Sequence, residues 1–340
     1  MKRFGICIAF VVAFSAVMLV AAQGVTRDKV ITLRYAGQAV AGDPCSTIEE
    51  QWGQEIEKRT NGKVKVRYYP GATLSSPLQM YDSVLKGVTD IGSHFMGYTQ
   101  GRFPLMEGLY TTPIEYPDVR WVIRIANQVY AKFRPKELDD VKVMYFHSSP
   151  PSILLSSKPV KSVADLKGLK VRAMNPGAQV MSEFGAIPVA LPITDAYDAV
   201  SKGMLHAVTS PYTAMIQFKL AEVMKYATEY KGSMMVGIAV IAMNKDKWTA
   251  LPSDVQKTIE QINTEWAIKH AEMWYKYENG AKDYSIKKGV QAITLSAEEN
   301  AKWMAKAKVV ADRYVTNMKQ KNLPGGEMLK FVGEELKKAK

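Results

Sequence analysis

The sequence is poor in cysteine, with only Cys7 and Cys45 among its 340 residues. Cys7 lies in an N-terminal apolar segment that we predict is removed, so the mature chain keeps one thiol and cannot form an internal disulfide. A chain of this length buries enough apolar surface to fold without a disulfide. We therefore expect Cys45 to be a buried thiol with no chemical role.

Motifs of an exported hydrolase or of a metal enzyme are also absent. The chain contains no Gly-x-Ser-x-Gly, no His-Glu-x-x-His, no Cys-x-x-Cys and no glycine-rich phosphate loop. Its four histidines, His94, His147, His206 and His270, are far apart, and none has the spacing of metal ligands. We expect no catalytic residues, no metal and no cofactor. An exported hydrolase stays the alternative, because residues distant in sequence can meet in space.

Long apolar runs are absent except at the N-terminus. The basic pair at 2–3 and the apolar run at 6–20, followed by small residues, are typical of a secretory signal peptide that covers residues 1–22. We expect cleavage near Ala22 and Gln23 and a periplasmic mature protein. An N-terminal membrane anchor is the competing interpretation, and the polar residues after the run favour cleavage.

Positive charge is in excess, but it forms no basic stripe. Lysine and arginine number 45 against 33 aspartate and glutamate, which gives a net charge of +12, or +10 once Lys2 and Arg3 are removed. The basic residues are scattered and are not interleaved with aromatic side chains, so we expect no nucleic-acid partner. Excess positive charge attracts anions to the surface, which agrees with a negatively charged ligand.

The chain does contain a regular alternation of strand and helix patterns. Residues 31–36 and 64–68 alternate apolar and polar positions as strands do. Residues 46–49 match a capping box that opens a helix, and a second helix start lies at 76–77. Alternating elements of this kind predict a mostly parallel sheet with helices on both faces.

Two stretches of this pattern recur later in the chain. Residues 65–72 match residues 170–178 with one insertion, and residues 81–87 match residues 197–203. Two matches in the same order predict two α/β lobes of the same design that face each other across a cleft.

A long helical pattern begins at residue 253 and continues to about residue 280. A helix of that length spans roughly 40 Å, which is enough to lie across both lobes. We predict that lobe I comprises 23–148 and about 238–275, that lobe II comprises 149–237, and that 276–340 form C-terminal helices packed on the lobes.

Several segments resemble one family, the extracytoplasmic substrate-binding subunits of TRAP transporters (the DctP-type solute receptors). Residues 58–66 followed by 69–71 are similar to the first helix and second strand of that family. Residues 165–172 are similar to its most recognisable motif, and residues 185–189 follow at a suitable distance. The similarity covers nearly the whole mature chain.

The resemblance implies a type II periplasmic-binding-protein fold, with two α/β lobes around a cleft and a long bridging helix. It also implies a receptor rather than an enzyme. The implied ligand is a small organic acid, and the implied partners are the integral-membrane subunits of a sodium-coupled TRAP transporter. A binding protein that feeds a signalling receptor would share this chemistry and stays an alternative. We expect a monomer.

Two segments depart from the family pattern. Residues 208–212 replace an acidic or glycine-rich turn that commonly shapes the ligand pocket. Residues 146–150 offer no second arginine before the crossing into lobe II, so a dicarboxylate ligand is disfavoured. Together with the aromatic residues at predicted strand ends, these departures favour a monocarboxylate with a hydrophobic or aromatic body.

Arg172 is the predicted ligand anchor. It ends a predicted internal strand, and ligands of open α/β sheets bind outside the carboxyl ends of strands. A guanidinium matches a carboxylate with two parallel hydrogen bonds and stays charged at any relevant pH. An ion pair with an internal acid is the alternative role. Arg67 lies at the matching place of the repeat, and only the resemblance ranks Arg172 above it; Arg102, in a loop, is a further candidate for an anion contact.

Other candidates follow strand ends that face the predicted cleft. Aromatic side chains there could enclose an apolar ligand body, and hydroxyl groups could orient its polar end. Ordinary core packing is the alternative for each aromatic residue. These candidates are His94, Phe95, Tyr98, Phe146, His147, Ser210 and Tyr212.

Overall fold

A computed structural model describes residues 30–174, 177–230 and 236–339. The predicted signal peptide, 1–22, and its cleavage site lie outside the described residues. Within the described ranges the strands form two separate sheets, each with buried apolar clusters on both faces.

The first sheet has five strands: β1 (Ile31–Ala36), β2 (Val64–Tyr69), β3 (Ile91–Phe95), β4 (Val141–Ser148) and β10 (Ile238–Asn244). Their order is β2-β1-β3-β10-β4. Strand β1 is parallel to both of its neighbours, whereas β10 is antiparallel to both of its own. All of β10 except its last residue is buried, as expected of a strand that is covered on both faces.

The second sheet has six strands: β5 (Ile153–Ser156), β6 (Lys170–Arg172), β7 (Ile187–Val189), β8 (Ala207–Ser210), β9 (Tyr226–Glu229) and β11 (Gln291–Thr294). Their order is β11-β9-β5-β8-β6-β7. Strand β6 is parallel to β7 and β8, and β5 is antiparallel to β8 and β9.

Both sheets share one plan, because β7-β6-β8-β5-β9 repeats the order and directions of β2-β1-β3-β10-β4. The predicted repeat is right for the helices that precede β3 and β8, Met80–Leu85 and Ala196–Ser201. It is wrong for the strands, because it matched β6 to β2 whereas β6 occupies the place of β1. Strand β6, which carries Arg172, occupies the place of β1, whereas Arg67 lies exposed on the edge strand β2. The repeat failed here because a strand-and-turn motif reflects only the local backbone conformation. The position of a strand in its sheet depends on hydrogen bonds to distant segments.

Helices pack on both sheets. The first lobe has α1 (Pro44–Arg59), α2 (Met80–Leu85), α3 (Pro104–Thr111) and α4 (Val119–Phe133). The second lobe has α5 (Gly177–Glu183), α6 (Ala196–Ser201) and α7 (Thr213–Gln217). The remaining helices are α8 (Lys245–Thr249), α9 (Ser253–Lys287), α10 (Ala297–Gln320) and α11 (Gly325–Lys337).

The predicted capping box at 46–49 is wrong. Helix α1 begins at Pro44, and Asp43 caps it by accepting a hydrogen bond from the Cys45 backbone N–H at 2.8 Å. Proline suits the first helical position because no partner is needed for a backbone N–H there. The Ser46 hydroxyl donates to backbone carbonyls instead, and Glu49 lies inside the protein with only 1% of its surface exposed.

The long helix α9 has 35 residues and therefore spans about 50 Å. It contacts α1, α4 and β4 of the first lobe and α7 of the second. Val255, Ile259 and Ile262 bury its inward face in a first-lobe cluster. This helix joins the two lobes, as predicted.

The C-terminal segment also contacts both lobes. Strand β11, which was not predicted from the sequence, extends the second sheet by pairing with β9. Helix α10 contacts α5 of the second lobe and α3 of the first, and α11 contacts α3 and α4. The expected fold class, two α/β lobes with a long bridging helix, is confirmed. No helix of the described ranges is both long and apolar enough to cross a bilayer.

Trp303 anchors α10 against the second lobe, so its removal should be costly. Its side chain is fully buried, with its ring centroid 4.3 Å from those of Phe184 and Tyr230. We expect Trp303→Ala to lower the free energy of unfolding by about 3–5 kcal/mol, because a large cavity remains. Val309, 41% exposed on the same helix, is the control, and Val309→Ala should change stability by less than about 0.5 kcal/mol in urea titrations. Equal effects of the two substitutions would contradict this role.

Candidate functional site

A cavity of about 170 Å³ lies between the two sheets. Residues just beyond the carboxyl ends of β1 and β3 form one side, and residues at the ends of β6 and β8 form the other. Parallel strands end at the same edge of a sheet, so the two matching strand plans bring four loop regions to one place. Trp274 of α9 completes the wall.

Arg172 lines this cavity at the end of β6 and is 7% exposed. Two backbone carbonyls of its own lobe hold the guanidinium: Nε donates to Leu191 O at 3.0 Å, and Nη1 donates to Thr209 O at 3.5 Å. The pKa of Arg172 lies below its ordinary value because burial disfavours the charge, although Tyr98 and Asp195 oppose that effect. Among the described residues no carboxylate forms an ion pair with Arg172 within 4.0 Å. Within the described ranges the charge therefore reaches the cavity without a salt bridge to the protein's own carboxylates.

Strand alternation decides which of the other predicted residues reach the cavity. Phe95 and Tyr98 of the first lobe line it, as does Ser210 of the second. His94 does not, because adjacent strand residues point to opposite faces of a sheet. Its fully buried ring lies among first-lobe aromatic side chains, with Nε2 2.9 Å from Thr99 Oγ1.

Three more predicted residues lie outside the cavity lining. Phe146 is fully buried in a first-lobe core cluster, on the face of β4 opposite to His147. His147 lies behind the wall, with Nε2 2.9 Å from Ser93 Oγ. The Tyr212 hydroxyl donates to Glu229 at 2.8 Å, away from the lining.

The two other arginine candidates do not line the cavity: Arg67 lies on an edge strand, and Arg102 is paired with two aspartates. Arg67 is exposed and is not part of the lining. Arg102 donates to Asp82 at 3.0 Å and to Asp140 at 3.2 Å, and its guanidinium lies 4.4 Å from the centre of the Tyr81 ring. Of the described residues that line the cavity, Arg172 is the only one with a cationic side chain.

Three lining residues that were not predicted carry buried polar atoms of interest. Tyr110 Oη, Thr213 Oγ1 and Trp274 Nε1 have no hydrogen-bond partner among the described residues. Buried polar groups are usually paired, so unpaired ones beside a cavity indicate places where a ligand can bind. Trp274 lies in the long helical pattern predicted from residue 253, which gave it no binding role, and nothing in the sequence singled out the other two.

A polar cluster forms the first-lobe wall. The Glu49 carboxyl accepts from the Tyr68 hydroxyl at 2.7 Å, and burial raises the pKa of Glu49 to about 7. Cys45 Sγ lies 4.0 Å from Glu49 Oε1 and 3.7 Å from His270 Nε2. The rings of His147 and His270 are stacked with centroids 4.1 Å apart. Two histidines more than a hundred residues apart in sequence are therefore neighbours, contrary to what their spacing suggested.

Glu278 fixes the second-lobe wall to the bridging helix. Its carboxylate accepts from the backbone N–H groups of Tyr212 at 2.9 Å and of Thr213 at 3.0 Å, at the start of α7. Burial raises the pKa of Glu278 to about 7 despite these hydrogen bonds. Helix α7 carries two residues of the lining, Thr213 and Gln217, so Glu278 positions part of the cavity without lining it.

Two similar lobes, a bridging helix and a cavity at the strand ends are the architecture of a solute-binding receptor. Residues 36–317 match the DctP family of bacterial extracellular solute-binding proteins, family 7. The chain belongs to this family. Proteins of this kind are periplasmic binding proteins of transporters and not enzymes, which confirms the receptor interpretation and the periplasmic location.

Relatives in several bacteria are similar in sequence, and two of them have solved structures with the same fold. A TRAP periplasmic solute-binding protein from Desulfovibrio salexigens is 29% identical, with a TM-score of 0.79 over 90% of this chain and 95% of that one. A TRAP solute-binding protein from Rhodoferax ferrireducens, solved with copurified benzoate, is 25% identical, with a TM-score of 0.84 over 92% and 100%. The 2,3-diketo-L-gulonate-binding periplasmic protein of Escherichia coli is 24% identical over 89% of this chain and 92% of its own.

The raised pKa of Glu278 predicts a measurable pH dependence of stability. Because the pKa of Glu278 is raised in the folded state, its contribution to stability is present at low pH and is lost as the pH rises through about 7. We expect Glu278→Gln to reduce the fall in melting temperature between about pH 5 and about pH 8. Glu272→Gln, on a more exposed carboxyl of the same helix, is the control. An unchanged pH profile in Glu278→Gln would rule out this assignment.

Proposed function

We propose that this receptor captures a small monocarboxylate with a hydrophobic or aromatic body and that Arg172 binds its carboxylate. The observation that carries the proposal is a buried guanidinium that lines a cavity and forms no ion pair with the carboxylates of the described residues. Burying a charge without a counterion is costly, so an anionic ligand is the natural partner. A guanidinium binds a carboxylate with two parallel hydrogen bonds.

The charges of the lining favour a monocarboxylate over a dicarboxylate. Arg172 is the only cationic side chain among the described lining residues, so a second carboxylate would lack a counterion. Glu49 also lines the cavity from the first lobe, and its carboxyl would repel or compete with a second negative group.

The size and lining of the cavity favour a compact hydrophobic body. A volume of about 170 Å³ is close to the roughly 150 Å³ of an engineered cavity that binds benzene in another protein. Phe95, Met174, Phe218 and Trp274 supply apolar surface around it. The benzoate bound by the Rhodoferax ferrireducens relative agrees with this class of ligand.

Contacts across the gap support capture by closure. Tyr98 of the first lobe interacts with Arg172 of the second, and Gln217 Nε2 of α7 donates to Asp43 Oδ1 at 3.1 Å. A ligand that contacts both lobes binds the closed form more tightly and shifts the population towards it. We infer that the closed receptor, as a monomer, delivers its ligand to integral-membrane TRAP transporter subunits.

Substitution of Arg172 tests the anchor directly. We expect Arg172→Ala to weaken binding of benzoate about 10- to 100-fold in isothermal titration calorimetry, because charge-assisted hydrogen bonds of this kind contribute about 1.5–3 kcal/mol. Arg172→Lys should recover only part of the loss, since an ammonium group lacks the planar fork. Arg67→Ala is the matched control, because Arg67 shares the local sequence pattern but is exposed on β2.

The ligand series separates the parts of the proposal. Benzoate and cyclohexanecarboxylate should bind, whereas succinate and the neutral benzyl alcohol should bind much more weakly. Unchanged benzoate affinity in Arg172→Ala would show that Arg172 does not bind the carboxylate. Tighter binding of succinate than of benzoate would overturn the monocarboxylate assignment.

The predicted leader gives a separate test of export. We expect the periplasmic protein to begin near Gln23, because small residues precede this position and polar residues follow it. Intact-mass measurement of the protein from the periplasmic and membrane fractions checks this. A mass that retains residues 1–22 would favour the membrane-anchor alternative.

A further inference from the structure

The polar cluster in the first-lobe wall places three metal-binding side chains together. Cys45 Sγ, a Glu49 oxygen and a His270 ring nitrogen all lie within 4.8 Å of one another. All three residues are buried, with exposed fractions of 5%, 1% and 0%. Cys45 and Glu49 also line the ligand cavity.

The helices explain why these side chains converge. Cys45 and Glu49 are four residues apart on α1, so they project from the same face of that helix. His270 projects from α9, and α1 and α9 are packed against each other. The pair of helices thus brings three ligand types to one point from rigid elements.

We propose that Cys45, Glu49 and His270 bind one divalent transition-metal ion of the Zn²⁺ type. A thiolate, an imidazole and a carboxylate are the usual protein ligands of Zn²⁺. In a tetrahedral Zn²⁺ site, neighbouring ligand atoms lie about 3.4–3.6 Å apart, given bond lengths of roughly 2.0–2.3 Å. The observed separations of 3.7 Å and 4.0 Å from the sulfur differ from this range by a few tenths of an ångström, and the Glu49 and His270 ligand atoms lie within 4.8 Å of each other.

The protonation states suit this role. Burial, with His147 nearby, holds the pKa of His270 well below its ordinary value, so the ring is neutral and offers a lone pair. Burial raises the pKa of the Cys45 thiol, so metal binding must release the thiol proton to solvent as the metal–sulfur bond forms. Affinity should therefore rise with pH.

Neighbouring groups orient the proposed ligands from outside. The Tyr68 hydroxyl donates to Glu49 Oε2, the oxygen that is not nearest to Cys45. The Tyr145 hydroxyl lies 3.5 Å from His270 Nδ1, whereas Cys45 lies near the other ring nitrogen, Nε2. Such outer contacts fix the orientation of metal ligands and are typical of functional metal sites.

His147 is an outer neighbour and not a fourth ligand. Its ring is parallel to that of His270 at 4.1 Å, so one ion cannot lie in the planes of both rings. Because Cys45 and Glu49 line the cavity, water or a ligand atom could reach the ion from the cavity as a fourth ligand. A thiolate and a carboxylate together neutralise a divalent ion, so the site adds no net charge for a second carboxylate of a ligand.

The inference is independent of the proposed ligand, because neither Arg172 nor an organic acid takes part in it. The competing interpretation is a hydrogen-bonded network without an ion. Cobalt(II) distinguishes the two, because a tetrahedral thiolate site gives it intense visible d–d bands and a sulfur-to-metal charge-transfer band.

The experiment titrates the secreted protein, freed of metal, with Co²⁺ and then with Zn²⁺. We expect one equivalent of Co²⁺ to give both absorption features and Zn²⁺ to abolish them. Cys45→Ser should lose the charge-transfer band, and Glu49→Gln should weaken Co²⁺ binding by about tenfold or more. His206→Gln, which changes a histidine outside the cluster, is the control and should bind Co²⁺ as the wild type does.

A second readout needs no substitution. Cys45 is the one thiol that remains after residues 1–22 are removed, so its alkylation by N-ethylmaleimide can be followed by intact mass. Zn²⁺ should slow this alkylation, including in Arg172→Ala, which is expected to lose acid binding but not metal binding. Absence of the thiolate band together with an unchanged alkylation rate would overturn the site, as would equal Co²⁺ affinity in the wild type and in Cys45→Ser.

Discussion

A guanidinium buried between two lobes is the constraint on which the rest of this arrangement depends. Removing a charge from water is costly, and the carbonyls of Leu191 and Thr209 compensate it only in part. An internal salt bridge would satisfy the charge but would also remove it from binding. The described residues supply no such bridge, so the proposed ligand is the counterion that completes the site. The same desolvation makes the interaction selective, because a neutral ligand of equal shape would leave the charge unpaired.

The shared strand plan explains why the cavity forms where it does. In the first sheet the parallel neighbours β1 and β3 both end at the cavity, and the antiparallel strand β10 lies next to β3. In the second sheet β6, β8 and β5 have the same arrangement. The chain passes from β4 into β5 and from β9 into β10, so each lobe receives its antiparallel strand directly from the other lobe. Helix α9 contacts both lobes, and Glu278 on it holds the start of α7. The cavity therefore lies where elements of both lobes and the bridging helix meet.

The two walls of the cavity differ in chemistry. The second lobe offers one fixed positive charge held by backbone carbonyls. The first lobe offers a buried cluster of a thiol, a carboxyl and two imidazoles, of which Cys45 and Glu49 reach the cavity surface. Buried polar groups of this kind lower stability unless they are fully paired, and clusters of them with shifted pKa values are characteristic of functional sites. The metal proposal accounts for the cluster without changing the role of Arg172.

Local patterns in the sequence predicted several strands and helices, the two-lobed α/β class and the bridging helix, because hydrophobic periodicity depends on nearby residues. They missed β11 and misplaced the cap of α1. They were sufficient to put Arg172 at a strand end. Tertiary structure alone decided which strand of one lobe corresponds to which strand of the other, since that depends on hydrogen bonds between distant segments. It also decided that Glu49 lies in the cavity wall rather than in a helix cap, and that His147 meets His270. Those contacts join segments far apart in the chain, and no local pattern encodes them.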